Sequence, residues 1–338
     1  MKPFNVLVTA ASRRVPLVQA FRAALYELGL PGAVIATDVN AYSPAVHMAD
    51  RAYRVPMATD PAYIDEILGL CEAEGVRLVV PTIDDELPMF GAAREAFARI
   101  GTFAACSSKA TALTCNDKYA TCARLIDHGI PAARTYLPSV LPAYPDFPLF
   151  IKPRVGRGAV GAYVVRNFRD LAFFLGYVES PIVQEYLAGP EFTIDVLCDP
   201  AGRPLAIVPR ERVVIRSGVI DRGRTVKDPR LLELAEQVCA AMPFAGPLNI
   251  QCRMRGDVPT VFEINPRFSG GIPLTIAAGA DFPAMLVQLA QGARLEPAIG
   301  AFRDDLWISK YEAAVFLPAS DLAMPACPPA TVAVSEVA

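Results

Sequence analysis

Phe262-Glu263-Ile264-Asn265-Pro266-Arg267 is the stretch on which the reading of this 338-residue chain turns. Polar and apolar residues alternate through it with the period of a half-buried β-strand, so Glu263 and Asn265 project from one face. Two hard oxygen donors on one rigid strand suit Mg²⁺, which is held by few protein oxygens while phosphates and water supply the rest. Residues from Leu248 to Asn265 form a hairpin pattern, and the turn Arg255-Gly256-Asp257, centred at residue 257, sets Gln251 directly opposite Glu263. Gln251, Glu263 and Asn265 are therefore the candidate metal site.

Upstream lie groups suited to a nucleotide. Asn116-Asp117-Lys118 opens a helix through about His128, stopped by Gly129 and Pro131. A proline-rich stretch, Pro138 to Pro148, leads into the apolar strand Leu149 to Lys152. Then comes Pro153-Arg154-Val155-Gly156-Arg157-Gly158-Ala159-Val160-Gly161, whose glycines Gly156, Gly158 and Gly161 let backbone N–H groups approach phosphate oxygens beside the Lys152 charge. It is not a Walker loop, because no G-K-[ST] occurs. After the strand Ala162 to Val165 and a helix near Asp170 to Tyr177, the run Gln184-Glu185-Tyr186-Leu187-Ala188-Gly189-Pro190-Glu191 passes from one strand to the next through a Gly-Pro turn. Such a linker presents backbone donors and acceptors to an adenine edge and leaves Glu191 to accept from ribose hydroxyls.

The first hundred residues alternate strand and helix. Strands are expected at Asn5 to Thr9, Ala33 to Thr37 and Arg77 to Val80, with helices at Val15 to Leu28, Ala62 to Ala73 and Glu86 to Ile100. That order implies a parallel sheet with helices on both faces. The first crossover, Thr9-Ala10-Ala11-Ser12-Arg13-Arg14, lacks G-x-G-x-x-G, so a Rossmann-like scaffold without a dinucleotide is expected. A break is read near Ser107 to Thr114. Further strands are expected near Phe192 to Cys198 and Pro204 to Val214, with helices over about Pro229 to Met242 and Ile272 to Gln291.

Composition narrows the function. Hydrophobic residues make up 53% and charged residues 20%, enough apolar material for buried sheets. A net charge of -3 does not suit a nucleic-acid partner. The longest apolar candidate, Leu171 to Val178, falls far short of the roughly 18 residues a membrane span needs. The amino terminus lacks a signal-peptide pattern. Eight scattered cysteines without C-x-x-C read as reduced thiols, hence a cytoplasmic expectation, and two histidines, His47 and His128, make His-based chemistry or a zinc site a poor fit.

In this order the elements resemble the ATP-grasp superfamily, with a likeness to its carbamoyl-phosphate synthetase large-subunit-like branch over roughly residues 5 to 310. The resemblance implies an α/β chain with an α+β ATP-grasp core, in which a Rossmann-like pre-ATP-grasp domain precedes a two-lobed ATP-grasp domain. It divides the chain into 1–113, a small lobe 114–188, a large metal-bearing lobe 189–310 and a peripheral tail 311–338. It further implies that Lys118 and Lys152 are the two nucleotide-binding lysines and that Gly156 to Gly161 is the phosphate-covering loop. Gln184, Glu185, Tyr186 and Leu187 would line the adenine hinge. Glu191 would be the ribose carboxylate, in a context also similar to D-alanine–D-alanine ligases. Gln251, Glu263 and Asn265 match the metal triplet, and Arg267 matches the transition-state arginine. Two departures stand out: glutamine replaces an acidic first metal ligand, and the chain is far shorter than a synthetase large subunit, with one ATP-grasp unit.

The implied chemistry uses ATP and one or two Mg²⁺ ions, with Mn²⁺ an acceptable substitute, to phosphorylate a carboxylate that an amine then attacks. The expected partners are these two small molecules and, as one allowed assembly, a second copy in a homodimer. Rival readings are a kinase of a small carboxylate or carbamate and an inactive nucleotide-binding regulatory subunit. For the acid, Arg212 and Arg216 lie four apart in a strand within a cluster that also holds Arg210, Arg222 and Arg224, and arginines clamp carboxylates bidentately. Asp84, Asp85 and Glu86 follow a parallel strand, where ligands bind, and are candidates to hold a substrate ammonium.

Overall fold

The computed structural model describes residues 2–156, 158 and 160–328. Arg157 and Ala159 of the glycine-rich loop and residues 329–338 of the expected tail lie outside the described residues.

The chain begins with β1 (Asn5–Val8), α1 (Val15–Glu27), β2 (Val34–Asp38), α2 (Pro44–His47), β3 (Arg51–Arg54), α3 (Tyr63–Ala73), β4 (Val76–Val80), α4 (Leu87–Ala92), α5 (Arg94–Arg99) and β5 (Phe103–Ala104). The five strands form one parallel sheet in the order β3-β2-β1-β4-β5. Every residue of β1 and β2 is buried, because helices cover both faces. The single helix expected over Glu86 to Ile100 is two, broken at Ala93. Strand β3 was not anticipated, since its exposed edge position removes the burial that would have patterned it.

Two helices follow, α6 (Lys109–Asn116) and α7 (Lys118–Asp127). Ser108 caps α6 by accepting from Thr111 N, so the expected break is instead a helix start. Asp117 caps α7, its Oδ1 accepting from Tyr119 N and Ala120 N at 3.0 Å while Oδ2 takes Arg154 Nη2 at 2.6 Å. A small sheet comes next, built from β6 (Thr135–Tyr136), β7 (Leu149–Pro153), β8 (Tyr163–Val165) and, after α8 (Phe168–Tyr177), β9 (Pro181–Glu185). Its order is β6-β9-β7-β8, and its own core gathers around Leu149, Ile151, Leu171 and Val183.

The large sheet uses β10 (Glu191–Cys198), β11 (Pro204–Arg216), β12 (Val219–Thr225), β13 (Gly246–Arg255), β14 (Val258–Asn265) and β15 (Trp307–Ser309), ordered β14-β13-β10-β11-β12-β15. Helix α9 (Pro229–Ala241) covers one face together with α7, burying Leu234, Val238, Leu125 and Ile250 in one cluster. The helix expected over Ile272 to Gln291 divides into α10 (Ile272–Ala277) and α11 (Phe282–Ala290), parted at Gly279 with φ 104°. These two helices join the large sheet to the first one: Phe268, Ile272, Phe282 and Leu286 share a core with Val6, Val18 and Phe21. Beyond β15 the chain returns to the first sheet, where Arg54 N donates to Pro325 O at 2.8 Å.

Asp117 yields the first prediction. Burial pushes its carboxyl up, but Arg154 and the two capping amides outweigh this and hold it below the usual range. A depressed folded-state pKa contributes stability that is present above the unfolded value near 3.8 and is lost as pH falls through the folded one. Asp117→Ala should lower unfolding stability by about 1 kcal/mol at neutral pH, with the deficit closing at acid pH. Urea melts of both chains across pH read it directly.

Candidate active site

Between the small and large sheets lies a cavity of about 650 Å³. Its wall is set by the β13–β14 hairpin. Gln251 pairs with Glu263 and Asn249 with Asn265, so Gln251, Glu263 and Asn265 all face the cavity. The route to this register differs from simple counting. The turn is Gly256-Asp257, since Arg255 pairs with Val258, and a bulge at Phe262 then adds the residue that brings Glu263 opposite Gln251. Asn265 Oδ1 accepts from Arg267 Nη2 at 3.3 Å, and Gln251 Oε1 accepts from Arg212 Nη1 at 3.4 Å.

Both lysines reach the same space. Lys152, at the end of β7, is buried; its Nζ donates to Phe262 O at 3.3 Å and lies 5.2 Å from the Phe262 ring. Burial depresses its ammonium pKa, with Glu263 pulling the other way. Lys118, in the first turn of α7, donates to Gly156 O at 2.6 Å and stands 3.9 Å from Glu263 Oε1. Gly156 and Gly158 line the cavity, and Gly158 faces Gly218 so closely that a Cβ on Gly218 would meet it at 3.2 Å. Gly161 instead sits against Pro153, outside the lining.

The linker after β9 also borders the cavity. Gln184, Glu185, Tyr186 and Leu187 line it, but the Gln184 side chain is buried, donating to Thr135 Oγ1 at 2.8 Å. Glu185 accepts from Arg134 N and from Arg255 Nη1. Glu191 is held between Arg212 Nη1 and Arg253 Nη2, both at 2.5 Å. Arg212 also donates to Gly218 O at 2.7 Å.

Several expected site residues are elsewhere. Arg216 is exposed on the far end of β11, 3.0 Å from Glu312, because bulges between Arg212 and Ile215 break the period that would have kept it in line with Arg212. Glu86 is fully buried, its oxygens accepting from Thr82 N, Ile83 N, Thr9 Oγ1 and Tyr63 Oη, and burial raises its pKa. It serves as a staple of the first sheet and cannot meet a substrate. Asp84 binds Arg267 Nη2 at 2.8 Å, and Asp85 is exposed; neither lines the cavity.

The structure adds residues that sequence reasoning missed. Arg13, Arg14, Arg210 and Arg253 line the cavity, as does the Ser269-Gly270-Gly271 turn. Arg210 is buried with Asp195, each side chain 1% exposed, through bonds of 2.8 and 2.9 Å. Asp195 also accepts from Thr275, and Ser269 Oγ accepts from Arg210. Gly271 is required here, since a Cβ would fall 2.1 Å from Arg210 Nη1. The available signal was the neighbouring glycines after E-x-N-P-R, which permit close packing against a large side chain.

A cleft lined by eight lysines and arginines against three glutamates suits a polyanion. The oxygens of Gln251, Glu263 and Asn265 suit a hard cation that brings most of its ligands with it, as only Glu263 is charged. Among the described residues there is no group of three His, Cys, Asp or Glu able to hold a metal. No helix among them is long and apolar enough to cross a membrane.

Residues 178–314 match the family described as ATP-grasp in the biosynthetic pathway with Ter operon, and residues 6–105 match the PylC-like N-terminal domain. The chain thus carries an ATP-grasp domain behind a PylC-like N-terminal domain. More particularly, it is related to carbamoyl phosphate synthase large chains. It is 24% identical over 293 residues to the arginine-specific large chain of Bacillus subtilis, covering 80% of this chain and 28% of that one. It is 29% identical over 143 residues to the corresponding chain of Halalkalibacterium halodurans, covering 38% of this chain and 14% of that one. The chain therefore spans less than a third of the curated relatives it matches. Similar solved structures include biotin carboxylase from Campylobacter jejuni (TM-score 0.70, 17% identity, 89% of this chain and 74% of that one). L-amino acid ligase from Bacillus licheniformis (0.65, 18%, 87% and 76%) and N5-carboxyaminoimidazole synthetase from Staphylococcus aureus (0.69, 12%, 87% and 79%) also share the fold.

Asp195→Asn should cost about 3–5 kcal/mol of stability, because it leaves the Arg210 guanidinium buried without its counter-charge. Guanidinium melts of the variant and the parent chain measure the difference, and a loss below 1 kcal/mol would show that Arg210 finds another partner.

Proposed function

We propose that this chain is an ATP-dependent ligase that phosphorylates a substrate carboxylate and couples the resulting acyl group to an amine, releasing ADP and phosphate. The observation that carries the reading is the convergence of Lys118, Lys152, Glu263, Asn265 and Arg267 on one cavity wall. In this reading residues 1–113 form the pre-ATP-grasp domain, 114–188 and 189–310 the two lobes, and 311–338 a peripheral segment. The setting is cytoplasmic.

MgATP would occupy the cleft with its base against the linker Glu185 to Leu187 and its ribose near Glu191. Gln251, Glu263 and Asn265 would hold Mg²⁺, or Mn²⁺ in its place, which neutralises charge on the phosphates. Lys152 and Lys118 place two further positive charges against the β- and γ-phosphates, and the amides of Gly156 and Gly158 add donors. The burial of Lys152 strengthens its field, since little water screens it. With the nucleophile a carboxylate oxygen, transfer of the γ-phosphoryl group leaves ADP and an acyl phosphate. An amine then adds to the acyl carbon, and Arg267 stabilises the tetrahedral oxyanion until phosphate leaves. Asp84 keeps the Arg267 guanidinium oriented for that task. Closure of the glycine-rich loop shields the acyl phosphate from water.

The relationship to carbamoyl phosphate synthase large chains favours a second reading, phosphorylation of a small carboxylate or carbamate with no amine step. ADP and phosphate release from MgATP, screened against pools of amino acids and small carboxylic acids, separates the two. Stimulation by an acid and further stimulation by an amine is the expected result; stimulation by an acid alone selects the kinase. Nucleotide binding without turnover in any pool would point to a regulatory subunit. Glu263→Ala should lower turnover at least about 100-fold while leaving the melting temperature within a few degrees; normal turnover in this variant would remove the metal assignment.

A further inference from the structure

The crossover from β1 to α1 carries no glycine, yet two of its residues occupy the left-handed region: Ala10 with φ 45° and Ser12 with φ 43°. Each such non-glycine residue is strained, and the strain persists only where surrounding contacts impose it. Those contacts are present. Ser12 N donates to Asp38 Oδ2 at 2.7 Å, Ala11 N to Thr37 O at 3.0 Å, and Thr82 Oγ1 bonds the carbonyls of Thr9 and Ala10. The strained loop delivers Arg13 and Arg14 to the cavity that the two ATP-grasp sheets otherwise enclose.

Arg14 differs from four of the other arginines of the cavity wall. Arg210, Arg212, Arg253 and Arg267 each hold a carboxylate, on Asp195, Glu191, Glu191 and Asp84 respectively. Arg14 is gripped by two carbonyls, Nη2 donating to Thr82 O at 2.6 Å and Nη1 to Phe268 O at 3.3 Å, and it forms no ion pair among the described residues. Arg267 Nη1 donates to the same Phe268 oxygen at 3.1 Å, so the two guanidiniums stand side by side. Burial, with the adjacent Arg267 charge, lowers the Arg14 pKa to about 9. Two neighbouring half-buried cations sharing one carbonyl are a receptor for an anion, whose arrival relieves their repulsion.

We infer that Arg14, paired with Arg267, is the receptor for the carboxylate of the non-nucleotide substrate, so that the N-terminal domain supplies the residue selecting an acid. This rests on the ligase reading for its chemistry, but the site itself is defined by geometry. It also explains the crossover sequence: a dinucleotide loop uses glycines to admit phosphate, whereas this one uses a strained backbone to aim an arginine.

The test is a calorimetric titration of malonate, a simple carboxylate probe, into the full chain saturated with MgADP, so that the α- and β-phosphate sites are occupied. Malonate should bind the parent chain and bind Arg14→Gln about 10- to 100-fold more weakly, with Arg14→Lys in between, while MgADP affinity changes less than twofold. Equal malonate binding by parent and Arg14→Gln, or none by the parent, overturns the assignment. So does a loss of MgADP affinity in place of malonate affinity, which would put Arg14 in the nucleotide site. Should Arg14→Gln melt below the titration temperature, Arg14→Lys decides, and unchanged binding there overturns the clamp. Arg14-dependent malonate binding in a protein whose ADP release no acid stimulates would leave the clamp standing and remove the ligase reading.

Discussion

The bulge at Phe262 is the constraint on which the cleft depends. Without the extra residue, β14 would run past β13 one position out of step, and every side chain beyond it would exchange faces. Glu263 would turn from the cavity, Asn265 would lose its place beside Asn249, and Arg267 would leave Asp84. The bulged residue is also in direct contact with the chemistry, since its carbonyl and ring both receive Lys152. A local irregularity in one ladder thus coordinates a charge on the small sheet with oxygens on the large one.

Charge in the cleft is abundant but largely neutralised from within. Asp195, Glu191 and Asp84 each hold arginines in fixed orientation, an arrangement that keeps cations rigid without leaving them electrostatically unbalanced. Among the described residues Arg13, Arg14 and Lys152 have no carboxylate in bonding contact, and burial depresses the pKa values of Lys152 and Arg14. Positive charge that the protein itself does not compensate marks where negative charge on a ligand gains most.

The sequence carried the fold well where periodicity was strong. Strands β1, β2 and β4 of the first sheet, the β13–β14 hairpin and α9 were legible because one or both faces are buried. Edge strands β3, β5 and β15 were not, for they are short and have little burial to pattern them. The opposition of Gln251 and Glu263 was read correctly from a turn placed half a residue late, an error that the Phe262 bulge cancelled. Arg216 and Glu86 were misplaced for related reasons: strand period and position at a strand end say where a side chain starts, but bulges in β11 and the burial demands of Tyr63 and Thr9 decide where it finishes. Arg14 was invisible as a site residue because its position depends on a loop conformation that no local propensity favours.

The three sheets are not equally bound to one another. The first and large sheets share a single apolar core through α10, α11 and Phe268, and the chain beyond β15 ties them again at Arg54. The small sheet keeps a separate core of its own. Its links to the large sheet run through the linker after β9, the pairing of Ala132 with Val261 and polar contacts such as Lys152 with Phe262. Displacing the small sheet exposes little shared apolar surface, whereas separating the other two would open a continuous core. Mechanically the molecule is a vice with one heavy jaw, the first and large sheets on their shared core, and one light jaw that carries Lys152.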